Sequence, residues 1–358
     1  MLKTFIEKYQ IKDKIICVGV SGGSDSLALV LMANDELTTL GYKIIALTVD
    51  HGLRPSSQDE ANYVAIVMKQ HNIEHHILHW EGDKPVTGVE EAARNARYNL
   101  IADWCKKNNC KILMTAHHLY DQVETFFMRI ERGSGLDGLC GMQDVFERDG
   151  ILILRPLLYT NPQYMKKYLS DKNIKYIEDE SNFCTDLLRV RIRQFLPEFE
   201  QKTGIDALKI ANTMKRLKTS KSHIDKEVEK LLKNIFNNYD NMAFWCNKSE
   251  FLKLDTEMQF RLLGKIIRTI SGADYIPAAD KLFLLNNKLM ADNFKATTLG
   301  HCYVCFLEEK LWFMPEKVSG ESNNQKDWKE YVKTHKNFKN KKIPVRLKKI
   351  ILSKKTLN

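Results

Sequence analysis

The sequence predicts an α/β protein: a Rossmann-like, five-stranded parallel sheet with helices on both faces, followed by a helical to mixed C-terminal domain. Three observations predict it. Short apolar runs alternate with helical patterns through the first 155 residues. Those runs are continuously apolar, as in strands buried on both faces. Polar clusters fall directly after the runs, where open parallel sheets bind their ligands.

Ile15–Val20 reads as the first strand, and Leu27–Leu40 as the helix after it. Lys43–Val49 is a second strand. Ser57–His71 is a helix, opened by a Ser-x-x-Glu capping box at Ser57 and Glu60. His75–Trp80 is a third strand and Val89–Asn108 a long helix. Lys111–Ala116 is a fourth strand, and Tyr120–Gly133 a helix ended by glycine. Ile151–Arg155 is a short fifth strand. Beyond about residue 205 the pattern changes to a Lys-rich helix over 206–236, a mixed stretch with a helix over 258–270, a helix over 277–291, and short strands over 294–314. The expected domains are therefore 1–210, 211–315 and a C-terminal segment 316–358.

At 358 residues, 44% hydrophobic and 28% charged, the chain is long enough for two or more packed domains. No apolar run reaches the roughly 18 residues of a membrane span, and residues 1–14 lack the apolar core of a secretory signal. Eight scattered cysteines do not make a disulfide scaffold, so reduced thiols and a cytoplasmic setting are expected. Residues 316–358 carry 13 Lys/Arg against 4 Asp/Glu and hold nearly all of the +10 net charge. A basic segment on an almost neutral body suits either nucleic acid or plain solvation.

The first strand runs into Ser21-Gly22-Gly23-Ser24-Asp25-Ser26. Small residues let the backbone turn sharply and approach a ligand. The helix that follows points unpaired N–H groups and a positive dipole end at the turn, which favours phosphate. Hydroxyls at 21, 24 and 26 add donors. Asp25 beside phosphates becomes favourable when it holds a Mg²⁺ that bridges their oxygens; its plainer role is to favour the first turn of the helix. The motif lacks the endings of a Walker loop and of a dinucleotide fingerprint.

Ser-Gly-Gly-x-Asp-Ser after a strand resembles the PP-loop of ATP pyrophosphatases, whose fold is the adenine nucleotide alpha hydrolase-like one and which cleave ATP between its α- and β-phosphates. The later motifs TVDHGLR (48–54), GVEEAARNARY (88–98), TAHHLYDQVET (115–125), RGSG (132–135), RPLL (155–158) and EDESNFCTDLLRVRIRQFLP (178–197) resemble, in this order, the tRNA(Ile)-lysidine synthetase family. The resemblance covers about residues 14–200. It implies a carbon–nitrogen ligase that uses ATP to activate C2 of the wobble cytidine in a tRNA(Ile) with a CAU anticodon, and L-lysine to displace AMP. A homodimer is open within this family.

The resemblance assigns the turn Ser21–Ser26 and His51 to ATP, Asp25 to the metal, and Asp121 and Glu124 to lysine. Spacing alone puts Asp121 and Glu124 on one helix face, where a carboxylate pair suits a cationic amino acid or simply faces solvent. A free ε-amine must shed its proton, which costs roughly 4.6 kcal/mol at pH 7, and a carboxylate can take it. Arg94 and Arg97 share a face with Glu91, to neutralise phosphate charge in the transition state or to pair with acids on their own helix. His117 and His118 end a strand and can face either substrate. Arg189, Arg191 and Arg193 are candidates for tRNA phosphates or the splayed cytidine, or for ion pairs with Asp179 or Glu180. Tyr120 stands where the family often has Asp, and Val190 where its Arg-Asn-Arg has Asn. The rival reading is a tRNA cytidine thiolase. Its cysteine chemistry would have to use Cys302-Tyr303-Val304-Cys305, the one Cys-x-x-Cys in the chain.

Overall fold

A computed structural model of the chain describes residues 1–82, 84–85, 87–178, 188–273, 276–317 and 343–355. The Asp179–Asn182 cluster and much of the basic C-terminal segment lie outside these residues. The chain divides into two compact units, Met1–Lys221 and Ser222–Asn358.

The first unit is built in the order α1 (Leu2–Lys8), β1 (Ile15–Gly19), α2 (Ser24–Leu37), β2 (Lys43–Asp50), α3 (Ser57–Gln70), β3 (Glu74–His79), α4 (Val89–Lys107), β4 (Ile112–Met114), α5 (Leu119–Glu131), α6 (Leu136–Leu139), β5 (Val145–Arg148), β6 (Ile151–Leu154), α7 (Pro162–Asp171) and α8 (Leu188–Thr203). It ends within α9 (Ala207–Ile235). The sheet order is β3-β2-β1-β4-β6-β5. The first five of these strands are parallel, with β1 central between β2 and β4. The sixth, β5, is an antiparallel edge strand that sequence reading missed. Its signal was the Asp149-Gly150 pair before β6. Both residues have positive φ (53° and 78°), as a tight two-residue hairpin turn requires.

Alternation along β1 separates two apolar layers. Ile16 and Val18 join Leu27, Leu29, Leu31, Val64, Met165 and Leu169 on one face of the sheet, where α1, α2, α3 and α7 pack. Cys17 joins Ile45, Leu47, Ile101, Cys105, Leu113 and Ile153 on the face that α4 covers. A third cluster seats α5 against α8 and the start of α9 through Leu119, Val123, Ile192, Leu196, Ile210 and Met214. Helices α1 and α7 were not expected from sequence. The capping box at Ser57 and Glu60 does not form. Ser56 is the N-cap residue of α3, its hydroxyl donates to Glu60 (3.0 Å), and Glu60 also pairs with Arg54 at 3.3 Å.

The second unit holds the rest of α9, then β7 (Asn237–Tyr239), β8 (Ala243–Asn247), α10 (Lys248–Leu252), α11 (Thr256–Ser271), α12 (Ala279–Met290), β9 (Ala296–Leu299), β10 (Cys302–Leu307), β11 (Lys310–Pro315) and α13 (Val345–Lys355). Its antiparallel sheet runs β7-β8-β11-β10-β9. One face packs on α11, α12 and the α9 residues through Phe251, Leu262, Ile266, Leu285 and Phe313. The other packs on α13 through Trp312, Met314, Leu347 and Ile350. Among the described residues no helix is long and apolar enough to cross a membrane.

Leu29 has no exposed surface and lies in the layer beneath the sheet. Leu29→Ala is expected to lower the unfolding free energy by about 3 kcal/mol, read as a shift in the urea midpoint at constant slope.

Candidate active site

The turn after β1 is tied by its own side chains. Gly22 has φ +88°, and its carbonyl accepts the N–H of Ile177 at 3.0 Å. The Ser26 hydroxyl accepts the Ser21 N–H (3.0 Å) and donates to the Gly23 carbonyl (3.1 Å). Its one proton is therefore spent on the loop, so Ser26 shapes the turn instead of donating to a ligand. Ser21 is exposed and Ser24 partly so, which leaves their hydroxyls the outward ones. Gly23 sits at the N-cap of α2, whose first turn carries Asp25. Main-chain N–H groups and the helix dipole thus converge where an anion fits.

Asp25 has one carboxylate oxygen, Oδ1, buried without a partner, while Oδ2 lies 3.6 Å from His118 Nε2. Burial raises its pKa, against the opposing charge of His118. A buried, orphaned oxygen beside a phosphate-shaped turn fits a hard divalent cation such as Mg²⁺, which binds through carboxylate and phosphate oxygens.

His118 caps α5. Its Nδ1 accepts the N–H groups of Tyr120 (3.2 Å) and Asp121 (3.4 Å), and Asp121 Oδ2 accepts the His118 N–H (2.8 Å). With Nδ1 the acceptor, the ring proton of neutral His118 resides on Nε2 and points at Asp25. The 3.5 Å approach of Nδ1 to Asp121 Oδ2 is then a contact between two acceptors, made tolerable by the main-chain donors between them. One histidine thereby joins the turn after β1 to the helix after β4.

On α5, Asp121 and Glu124 share a face as the spacing required, and that face meets α8. Arg189 Nε reaches Glu124 Oε2 at 2.5 Å, Arg193 Nε reaches Glu124 Oε1 at 2.6 Å, and Arg189 also holds Asp121. Glu124 is fully buried. Burial pushes the Asp121 carboxyl up, but His118, Arg189, His117 and the His118 N–H together outweigh it and hold it low. The arginines at 189 and 193 are thus turned inward onto the carboxylates, and Arg191 is the exposed member of the three. Val190 is buried on the apolar side of α8, so an apolar residue suits that position. Tyr120 turns from the acidic face toward Glu200 and Asp206, which with burial raise its pKa.

At the ends of β2 and α4, Arg97 donates to His51 Nε2 at 3.4 Å, and Trp80 meets the imidazole edge-on at 5.9 Å. Burial, with Arg97 and Lys84, lowers the His51 pKa to about 4. Its Nδ1 is buried without a partner and carries the ring proton when Nε2 accepts. Arg94 parts from Arg97 and lies 5.5 Å from the Tyr98 ring, against which Arg148 also sits at 4.5 Å. Arg155, of the RPLL motif, is a further candidate at this edge of the sheet. Arg155 is buried, donates to the Gln143 carbonyl at 3.2 Å, stacks on Phe146 at 4.3 Å, and leaves Nε unpartnered. The signal was positional: it directly follows β6, as His117 and His118 follow β4. His117 bonds Thr115 Oγ1 through Nδ1 (3.0 Å), and burial with Arg155 lowers its pKa to about 3.

The Cys-x-x-Cys of β10 is no ligand pair. Cys302 packs in one apolar layer of the second unit and Cys305 in the other.

A PP-loop domain model matches residues 1–199. A tRNA(Ile)-lysidine synthase of Wolbachia pipientis wMel is 36% identical over 304 residues, covering 84% of this chain and 70% of that one. The chain belongs to the tRNA(Ile)-lysidine synthase family. A lysidine synthase of Rhodopseudomonas palustris is 36% identical over 261 residues, covering 72% of this chain and 74% of that one. The U34-tRNA thiolase NcsA from Methanococcus maripaludis, with its [4Fe-4S] cluster, shares the fold at TM-score 0.50 and 18% identity, over 57% of this chain and 72% of that one. Membership of the lysidine synthase family agrees with the mismatch of Cys302 and Cys305 and sets the thiolase apart as a relation of fold.

Two expectations follow. In Gly22→Ala, the added Cβ sits at positive φ and 2.6 Å from Ile177 Cδ1. The substitution should cost about 1–2 kcal/mol and weaken ATP binding, read by urea titration and calorimetry. The second concerns acid. His117 takes a proton near pH 3 when folded, His51 and His75 near pH 4, and all three near 6.5 when unfolded. Between those limits the unfolded chain binds more protons, so stability falls as pH drops from 6.5 toward 4. His117→Gln should flatten that slope in urea midpoints measured across the range.

Proposed function

We propose that this chain is a tRNA(Ile)-lysidine synthase that joins L-lysine to C2 of the wobble cytidine at the expense of ATP, giving AMP and pyrophosphate. The observation that carries the reading is the line from the turn after β1 through Asp25 and His118 to Asp121, which sets an anion cradle beside a carboxylate suited to an ammonium. Ser21, Ser24 and the amides of the turn hold the polyphosphate, and the unpartnered Nδ1 of His51 orients the nucleotide. Asp25 would hold Mg²⁺, which would supply positive charge to the phosphates when bound. The cytidine carbonyl oxygen attacks the α-phosphorus and pyrophosphate departs. Arg94 and Arg97 lie on α4 to meet that charge.

The ε-amine of lysine then attacks C2, and AMP leaves with the carbonyl oxygen. Both Glu124 oxygens already receive arginine Nε donors, so Glu124 orders α8, and Asp121 is the carboxylate left to receive the lysine ammonium as Arg189 yields. Asp121 also takes the proton that the amine must lose. Arg191, exposed on α8, and the Lys-rich C-terminal segment are assigned to tRNA phosphates. The substrate places the reaction in the cytoplasm.

The chain should incorporate radiolabelled lysine into bacterial tRNA with matching AMP release. Label without AMP, or AMP without label, contradicts the reading. Asp25→Asn is expected to cut turnover by roughly 10²-fold or more while its circular dichroism stays native. Glu124→Gln should cost about 3 kcal/mol of stability and disturb activity through α8, whereas Asp121→Asn should raise KM for lysine by far more than Glu124→Gln does.

A further inference from the structure

Away from the ligand-facing end of the sheet, three cysteines converge from three elements. Cys17 stands on β1, Cys105 in the last turns of α4, and Cys110 on the short loop into β4. Their sulfurs all lie within 4.8 Å of one another, and those of Cys17 and Cys110 are 3.1 Å apart. All three residues are buried. The loop is folded for the encounter: Asn109 takes a left-handed conformation (φ 53°), and the Cys110 N–H donates to the Cys105 carbonyl at 2.9 Å.

Buried thiols ordinarily serve as small apolar side chains. That accounts for each cysteine alone. It does not account for three sulfurs turned toward one another across the interface of β1, α4 and β4. Cys110 also turns its sulfur toward the Ile112 carbonyl (3.3 Å), at the mouth of β4. The three pack among Ile45, Leu47, Ile101, Leu113 and Ile153.

We propose that Cys17, Cys105 and Cys110 form a three-sulfur site for a soft monovalent cation of the Cu(I) class. The donors are all sulfur, the set that selects soft ions. Zinc takes four ligands at structural sites, and among the described residues no fourth His, Cys or carboxylate joins the three. Three sulfurs held at about 2.3 Å from a central ion stand about 4.0 Å apart, so the 3.1 Å pair of Cys17 and Cys110 opens by about 1 Å on loading. The entering cation displaces one thiol proton to solvent and is bound by one thiolate and two neutral thiols, so the buried site stays uncharged and no electron moves. It would staple together the strand that carries the nucleotide turn, the helix that carries Arg94 and Arg97, and the strand that leads to His117 and His118.

The test uses the full chain, reduced and loaded anaerobically with one equivalent of Cu(I), then challenged with a chromogenic Cu(I) chelator. Wild type should retain one ion per chain and show a higher Tm when loaded. Cys105→Ala should lose retention by 100-fold or more and show no rise in Tm. Cys305→Ala, which removes a buried thiol from the second unit, should behave as wild type. X-ray absorption of the loaded wild type should show one shell of three sulfurs, a readout that needs no variant if Cys105→Ala fails to fold. Copper stripped from wild type, equal retention by Cys105→Ala, or a shell with nitrogen or oxygen ligands would overturn the assignment and leave the cysteines as packing.

Discussion

The contact between His118 and Asp25 is the constraint on which the site depends. It works because a backbone need and a chemical need fall on one imidazole. Helix α5 begins with N–H groups that want an acceptor, and His118 Nδ1 supplies it. That fixes which nitrogen bears the proton. The proton then faces the carboxylate that ends the turn after β1. Two loops from adjacent strands are held in register without a direct bond between their backbones.

The parallel sheet makes this economical. β1 and β4 are neighbours with the same direction, so their carboxyl ends open onto the same edge. β2 on the other side of β1 brings His51 to that edge, and β6 beyond β4 brings Arg155. Each of these strands hands over to polar residues where its apolar run stops. The strands themselves stay apolar on both faces because α2 and α4 cover them from opposite sides.

Much of this was legible in the sequence, for physical reasons. Continuous apolar strands and a glycine–serine turn are local signals, and the turn's chemistry is written in six adjacent residues. The parts that escaped are of two kinds. Some were local signals passed over: Asp149-Gly150 marks the hairpin that adds β5. Others have no local signal. Nothing near Glu124 announces that Arg189 and Arg193, more than 60 residues later, will take both of its oxygens. Nor does the spacing of Cys17 and Cys110, 93 positions apart, reveal sulfurs in contact. Burial decides such pairings, because a carboxylate with no exposed surface must find cations wherever the fold brings them. The capping box at Ser57 failed for the converse reason, since Ser56 supplied the competing hydroxyl one position earlier.

The pairing of two carboxylates with two guanidiniums between α5 and α8 has a kinetic corollary. The four formal charges cancel, so this pocket casts little long-range field into solvent. The lysine proposed to bind there would be selected on arrival, by exchanging places with a guanidinium, and not by attraction from these carboxylates at a distance.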